Sequence, residues 1–588
     1  MNGSLRLRKS LCVLGVLFAL TASSLAADRP RSGNSSVLDW SSHYVVRPRP
    51  KTLAATLQAQ RDPRGRAATL RRGGPSPAAF GKLVFLPPPV PAPKIQPIPV
   101  TPHRDWSYSL GNGTVAAGQY PAKFAIDPIE DPDCTNDYVV YSLNVLGAVG
   151  QANLVGLNNL YSNSDGSGFC SGTAPATYWA YRITARLATS PAISEDGTKI
   201  AFVENSNPPK FHVLAWKSGQ GTVTAPKAPT LIVGAPTAGS GAMSALALSP
   251  STASTLGSPY IDYDNDVAYV STDQGRIYRI RNVFCVTAAC INSPAAPSLD
   301  PAWGVNPVTI TGNPRLTAVV MDSNTGNLFV GGSDGKLYAL RAADGSTLTG
   351  SPITVGDGTS VGGVNVGGIT DPPILDGFDG YVYGFTGSGN GVNALVVQAT
   401  TTFSSSVSVT VGPGGKLRLH DGAFNDAYYS QSQNGNPLQW FLYVCGTDAV
   451  APANDVPTLH RIDFSNARVM QTDSQVYNLG VSGDDCSPFT EILTVVNADR
   501  LFWGLLGVSN LVEETDLSIN GDLNPPIPSD VATPAPEPGG SSGIIVDGLA
   551  DPGFFPEASS IYFANQAKSN NCGTNVFCAV KLTQLDLQ

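Results

Sequence analysis

The stretch that decides the fold runs Leu316-Thr-Ala-Val-Val-Met321, Asp322-Ser-Asn-Thr-Gly326, Asn327-Leu-Phe-Val330, Gly331-Gly-Ser-Asp-Gly335 and Lys336-Leu-Tyr-Ala-Leu340. Three short apolar runs are separated by two turns rich in Asp and Gly. Thr-Gly and Asp-Gly between apolar runs signal hairpins, because Gly accepts the positive φ that tight turns require. The stretch therefore reads as three antiparallel strands joined by two hairpins.

The same grammar recurs. It stands in Ser190-Pro-Ala-Ile-Ser-Glu-Asp-Gly-Thr-Lys-Ile-Ala-Phe-Val203 and in Asp371-Pro-Pro-Ile-Leu-Asp-Gly-Phe-Asp-Gly-Tyr-Val-Tyr383. It also stands in Asp266-Val-Ala-Tyr-Val270 followed by Arg276-Ile-Tyr-Arg-Ile280. The aromatic or apolar middle strand has eight copies, beginning at Tyr138, Lys199, Val267, Leu328, Tyr381, Trp440, Leu501 and Ile561. The steps between them are 61, 68, 61, 53, 59, 61 and 60 residues. A period in this range means stacked or circular repeats. Three or four antiparallel strands per repeat predict an all-β chain folded as an eight-bladed β-propeller. Seven blades is the alternative, if one copy is misread. A β-helix would have shorter rungs, and immunoglobulin-like domains need about 100 residues each. The seventh copy is the weakest, with no evident third strand after Leu505, and Glu513 to Gly540 reads as an irregular insert.

Composition fits this reading. The chain holds 61 Gly and 47 Pro in 588 residues and only 14% charged residues, a turn-rich extracellular β composition. The first hundred residues carry 15 Lys and Arg against 3 acidic residues. The rest carry 21 against 42, giving the net charge of −9. This balance excludes nucleic acid as the expected partner.

Arg6, Arg8 and Lys9, the apolar stretch Leu11 to Leu20 and the small residues Ser24-Leu25-Ala26-Ala27 predict a signal peptide over 1–27. No later run reaches the roughly 18 apolar residues of a transmembrane helix. The expected location is exported: periplasmic, cell-surface or extracellular. Residues 28–105 read as a disordered basic linker ending in the Pro-rich run from Pro87 to Pro102, a semi-rigid spacer. Its arginines read as a solvated tail or as an electrostatic contact with an anionic envelope. The propeller then spans 106–588.

Without Cys12, which leaves with the signal, eight cysteines remain: Cys134, Cys170, Cys285, Cys290, Cys445, Cys486, Cys572 and Cys578. An even count in an exported chain favours disulfides. Roughly a hundred pairings are open. Pairing in sequence order is the simplest, each bond closing a loop within or beside one repeat.

Around Asn327–Leu340 the chain resembles the quinoprotein-like propeller repeat, and Ser190–Val203 resembles the repeat of periplasmic propellers of the TolB type. The resemblance implies the propeller fold. The Trp that usually ends a quinoprotein repeat is absent after Gly345, where Ser-Thr-Leu-Thr follows.

Catalytic patterns are sparse. G-x-S-x-G occurs at Gly331–Gly335, Gly358–Gly362 and Gly539–Gly543, in turns and Gly-rich loops rather than between a strand and a helix. The five histidines, His43, His103, His212, His420 and His460, form no H-E-x-x-H. Asp262, Asp264 and Asp266 place alternating carboxylates where one calcium ion could be met by oxygen ligands. The seven Trp read as blade packing, with Trp40 in the tail, rather than as a quinone site. No cofactor is expected apart from that calcium. The expected function is a binding, adhesion or scaffold module that takes a protein or glycan on a propeller face. The rival is a quinoprotein-like oxidoreductase or a calcium-assisted polysaccharide-active enzyme.

Overall fold

The computed structural model describes residues 35–48, 53–59, 61–71, 103–127, 132–166, 168–389, 391–430, 440–448, 456–493, 499–517, 535–548, 558 and 560–583. The signal peptide and the Pro-rich run lie outside the described residues.

Eight β-sheets form the eight blades of a propeller. The repeated middle strand of the sequence is the second strand of each blade, counted outward from the channel. These strands are Tyr138–Ser142, Ile200–Glu204, Val267–Ser271, Asn327–Gly331, Tyr381–Gly389, Phe441–Thr447, Asp499–Leu506 and Ser560–Ala564. Nearly every residue in them is buried, on both sides of the sheet. A strand sandwiched between two neighbouring blades has no solvent face, so it reads as an unbroken apolar run rather than an alternating one.

The Asp/Gly turns do what their sequence predicts. In blade 4, Asp322 Oδ1 accepts from the Asn324 amide at 2.9 Å and Oδ2 accepts from Thr325 Oγ1 at 2.6 Å. Gly326 then takes φ +69°. In blade 5, Asp376 Oδ1 accepts the amides of Phe378 and Asp379, and Gly380 takes φ +78°.

Blade 7 does have a third strand. It is Leu511–Asp516, paired Trp503↔Glu513, so the supposed insert begins as regular sheet. The outer strand Ala535–Pro536 follows, and residues 518–534 lie outside the described residues.

Two distant stretches of the chain build blade 8. Its inner three strands are Ile545–Asp547, Ser560–Ala564 and Phe577–Thr583. Its outer strand comes from far upstream, His103–Gly111, in antiparallel register with the C-terminal strand from His103↔Thr583 to Gly111↔Phe577. This pairing closes the ring by joining an upstream strand to the C-terminal one.

The four disulfides follow sequence order: Cys134–Cys170, Cys285–Cys290, Cys445–Cys486 and Cys572–Cys578. Three lie within one blade. Cys445–Cys486 joins the second strand of blade 6 to the inner edge of blade 7. Four disulfides fit an oxidising, exported environment. Among the described residues no helix is long and apolar enough to cross a membrane.

Candidate functional site: a channel filled by the N-terminal segment

Residues ahead of the ring occupy its channel. Strand β1 (Ser36–Leu38) pairs antiparallel with the inner strand of blade 1 (Ala122–Ala125), Ser36 opposite Ala125 and Leu38 opposite Lys123. Blade 1 thus gains a fifth strand on its channel side. A short helix, α1 (Ser41–Tyr44), follows. The chain then runs back along blade 5, where Val45 bridges Leu375 in parallel and the Val46 amide donates to Leu375 O at 2.8 Å. Helices α2 (Leu53–Ala59) and α3 (Pro63–Arg71) complete the segment, and α3 packs on β1.

Of the linker expected over 28–105, residues 35–48, 53–59, 61–71 and 103–105 are described, and part of them is buried. Leu38, Trp40, Tyr44, Val46 and Ala67 belong to one buried apolar cluster with inner-strand residues of several blades, including Tyr260, Val320, Leu375 and Ile545. Trp40, read from the sequence as part of a tail, is buried. Its Nε1 donates to Pro259 O at 3.1 Å.

The arginines are partly internal too. Arg64 donates to Ser41 Oγ and Ile261 O, each at 2.7 Å, and pairs with Asp62 at 2.7 Å. Its guanidinium lies 4.9 Å and 4.8 Å from the ring centres of Tyr260 and Tyr263. Arg66 pairs with Glu195 of blade 2 at 3.0 Å, and Arg47 with Asp62 at 3.4 Å. A buried cation needs partners for its charge, and Arg64 has Asp62, Ser41 and the Ile261 carbonyl around its guanidinium. Arg61 is exposed. Between segment and ring remains a cavity of about 50 Å³, bordered by Asp39, His43, Arg47, Glu491 and Ile545.

Loops between blades close one mouth of the channel. Gln119 Oε1 accepts from the Ser190 amide and from the hydroxyls of Ser190 and Ser258, and the Gly543 amide donates to Gln119 O. Blades 1, 2, 3 and 8 are tied at this one residue. Beside this loop, next to Gly118 and Tyr120, stands a buried acid–imidazole group. His43 Nε2 lies 2.5 Å from Asp421 Oδ2, and His420 Nδ1 lies 2.7 Å from Asp371 Oδ2. The Asp421 amide also donates to Asp371 Oδ2. Asp485 lies 4.0 Å from His420 Nε2.

Burial works against the charged His420 imidazole, but Asp371 and then Asp485 outweigh it and lift the ring to about 9 from its ordinary 6.5. Burial pushes the Asp421 and Asp485 carboxyls up. The sign for His420 follows from linkage. Its raised value stabilises the fold fully below pH 6.5, and that stabilisation is lost as pH rises to about 9. At 1.36 kcal/mol per unit the loss is about 3 kcal/mol. Raised Asp421 acts in the same direction. The denaturation midpoint should therefore fall between mildly acidic and alkaline pH, and His420→Gln should flatten that fall. An equal slope in the variant would dismiss the assignment.

The sequence-derived candidates lie elsewhere. Asp262 accepts from Asn265, at Oδ1 from the amide and at Oδ2 from Nδ2. Asp264 is exposed in the turn. Asp266 takes φ +53°, and its carboxylate accepts the amides of Phe284 and Val286 from the next hairpin. Two of the three carboxylates are thus engaged within blade 3 and face different partners. Among the described residues no group of three or more His, Cys, Asp or Glu is arranged around a common point for a metal. His212 and His460 sit on third strands, facing Glu204 and Asp473 at 2.8 Å each. Ser333 of the first G-x-S-x-G lies in a hairpin turn.

The channel group escaped sequence reading. His43, Asp371, His420 and Asp421 come from three distant stretches with no shared motif. Trp40 and Tyr44, four residues apart in an otherwise polar stretch, were the available signal for a buried segment.

No family model matches this sequence, and no curated protein matches it. Among solved structures, BamB from Moraxella catarrhalis is similar at 12% identity and TM-score 0.37, over 74% of this chain and 91% of its own. Sqt1 from Chaetomium thermophilum is similar at 10% and 0.45, over 82% and 99%. A quinohemoprotein alcohol dehydrogenase from Comamonas testosteroni is similar at 10% and 0.42, over 82% and 76%. None of these likenesses bears on what this chain binds or catalyses.

Proposed function

We propose that the chain is an exported β-propeller that binds a protein or glycan through its outer loops, as an adhesion or scaffold module. One observation supports this above others: the channel is taken up by the chain's own β1 and α1. In a channel-centred enzyme that space would serve substrate or cofactor. Here Leu38, Trp40 and Tyr44 fill it with close-packed apolar atoms. Recognition is then left to the rim. Connections on the face where each inner strand begins expose Val149, Val361, Val392 and Val508, and connections on the other face expose Phe169, Val233, Ile291 and Phe378. Exposed apolar side chains in loops held by a rigid ring suit partner binding.

The test is calorimetry and absorbance with pyrroloquinoline quinone and calcium, run beside a glycan array and cross-linking to envelope proteins. The expected result is no saturable heat with quinone. Array or cross-linking signal should be weakened by Val361→Asp or Phe378→Asp with the ring's melting unchanged. Saturable quinone binding with a shifted chromophore would overturn the reading.

A further inference from the structure

The seam where the ring closes holds a buried lysine against a buried carboxylate. Lys123 stands on the inner strand of blade 1, and Asp547 ends the inner strand of blade 8. Their side chains are 1% and 3% exposed. Lys123 Nζ lies 2.8 Å from Asp547 Oδ2. That contact is off the hydrogen-bonding direction, since Oδ2 accepts no hydrogen bond among the described residues. The same Nζ donates to Tyr161 OH at 3.0 Å, and Tyr161 OH donates to Asp137 Oδ2 at 2.5 Å. The Tyr562 hydroxyl, buried beside them, has no hydrogen-bond partner among the described residues. Amine, carboxyl and a second carboxyl linked through a phenol are thus enclosed by aromatic rings at one point.

A neighbouring pair supplies the contrast. Lys581 Nζ lies 2.7 Å from Asp105 Oδ2, and the same oxygen accepts Thr583 Oγ1 at 2.6 Å. That carboxylate is held as an ordinary hydrogen-bonded ion pair. Asp547 is not.

We propose that Lys123 and Asp547 condense to an intramolecular isopeptide bond that locks blade 8 to blade 1. A buried ammonium–carboxylate pair without full hydrogen bonding gains by passing its proton from nitrogen to oxygen, because burial penalises both charges. The neutral Nζ then attacks Cγ of the protonated Asp547. A C–N bond forms and the C–O bond breaks. The leaving hydroxyl departs as water, taking up the proton that nitrogen loses. Ammonium plus carboxylate becomes amide plus water, and no oxidant or reductant is consumed. Tyr161 and Asp137 lie where they can receive the proton from Nζ and return it to the leaving oxygen. Exclusion of bulk water by the closed seam protects the amide from reversal. Burial raises the Asp137 carboxyl to about 6 against the opposing pull of Lys123, a value suited to proton exchange near neutrality.

The position gives the bond a purpose. Blade 8 takes its outer strand from far upstream, where His103–Gly111 pairs with Phe577–Thr583. A Lys123–Asp547 bond would add a covalent link between blades 1 and 8 where the ring closes. It is independent of the reading given above for the rim.

The experiment is intact-mass and peptide mass spectrometry on the reduced, denatured chain. The expected mass is below that of the reduced, linear chain by one water. Trypsin should fail to cut after Lys123, and one branched peptide should contain both Lys123 and Asp547. Lys123→Arg, which keeps the charge, should restore the full mass and slow the boiled chain on a denaturing gel. Asp137→Asn should retain the pair yet show the full mass or slow conversion. A full mass for the unaltered chain overturns the proposal. So does a water lost within one linear peptide, as in a succinimide, or a cross-link between other residues.

Discussion

Trp40→Ala should free the channel segment while leaving the ring folded. Trp40 is 1% exposed and packs against Tyr44 and Tyr260 at ring distances of 5.7 Å and 6.3 Å. Its indole also satisfies the Pro259 carbonyl. Truncating a buried Trp to Ala costs about 3–5 kcal/mol, part lost transfer and part cavity. The Pro259 carbonyl also loses its buried donor.

Where that cost falls distinguishes two pictures. If residues 35–71 are a docked segment on a self-sufficient ring, the cost falls on docking. Limited proteolysis should then trim the chain ahead of His103, while the propeller keeps its β signal and its melting point within a few degrees. If the segment is instead part of the ring's folding nucleus, the melting point should fall with the protection. Arg64→Met is the matching probe of the polar half of the interface. It removes contacts to Asp62, Ser41 and Ile261 and leaves Asp62 without its closest cation. Its effect should add to that of Trp40→Ala only if the two sites are uncoupled. Both lie against Tyr260, so a non-additive result is expected.

The ring was legible because its signal is local. Each copy of the repeat carries its own hairpins, and Asp322 or Asp376 makes its turn with atoms only two or three residues away. The disulfide pairing was legible for the same reason, since no bridge spans more than 41 residues. The third strand of blade 7 was missed because Leu511-Val-Glu-Glu-Thr-Asp516 carries two adjacent glutamates. Both are accommodated in the sheet: Glu513 accepts from Trp503 Nε1 at 3.0 Å, and Glu514 pairs with Arg500 at 3.4 Å.

The contents of the channel were not legible. Arg64 and Arg66 read as solvated charge because two of their partners, Ile261 and Glu195, lie 197 and 129 residues away. A basic segment becomes a core segment only once distant carboxylates, carbonyls and rings are brought around it. The Lys123–Asp547 contact has the same origin, a lysine in one inner strand meeting a carboxylate from another after the ring closes. Periodicity locates the strands. It does not report which polar residues the closed ring will trap.

Removing the Cys445–Cys486 bond by a double Ala substitution should have the other large effect. The two cysteines are 41 residues apart, and on the chain-entropy model a loop of that length contributes about 4 kcal/mol of stability. The hairpin bonds Cys285–Cys290 and Cys572–Cys578 have separations of only 5 and 6 residues. The same model gives each of these about 2 kcal/mol. Urea denaturation of the two kinds of double-Ala variant should rank accordingly, with the larger loss of midpoint for the 445/486 pair. Cys134–Cys170, 36 residues apart, matches the 445/486 bond in loop length but stays inside blade 1. Comparing those two variants isolates what a bond between blades adds. If chain entropy is the whole effect, the two losses agree and both transitions stay single. If the bond also holds blade 6 against blade 7, its removal should let that boundary open first. Amide exchange would then quicken in Phe441–Thr447 and Asp499–Leu506 well below the main transition. Equal exchange in both variants would show that packing of Tyr443, Leu459, Phe489 and Trp503 holds the two blades together without the bond.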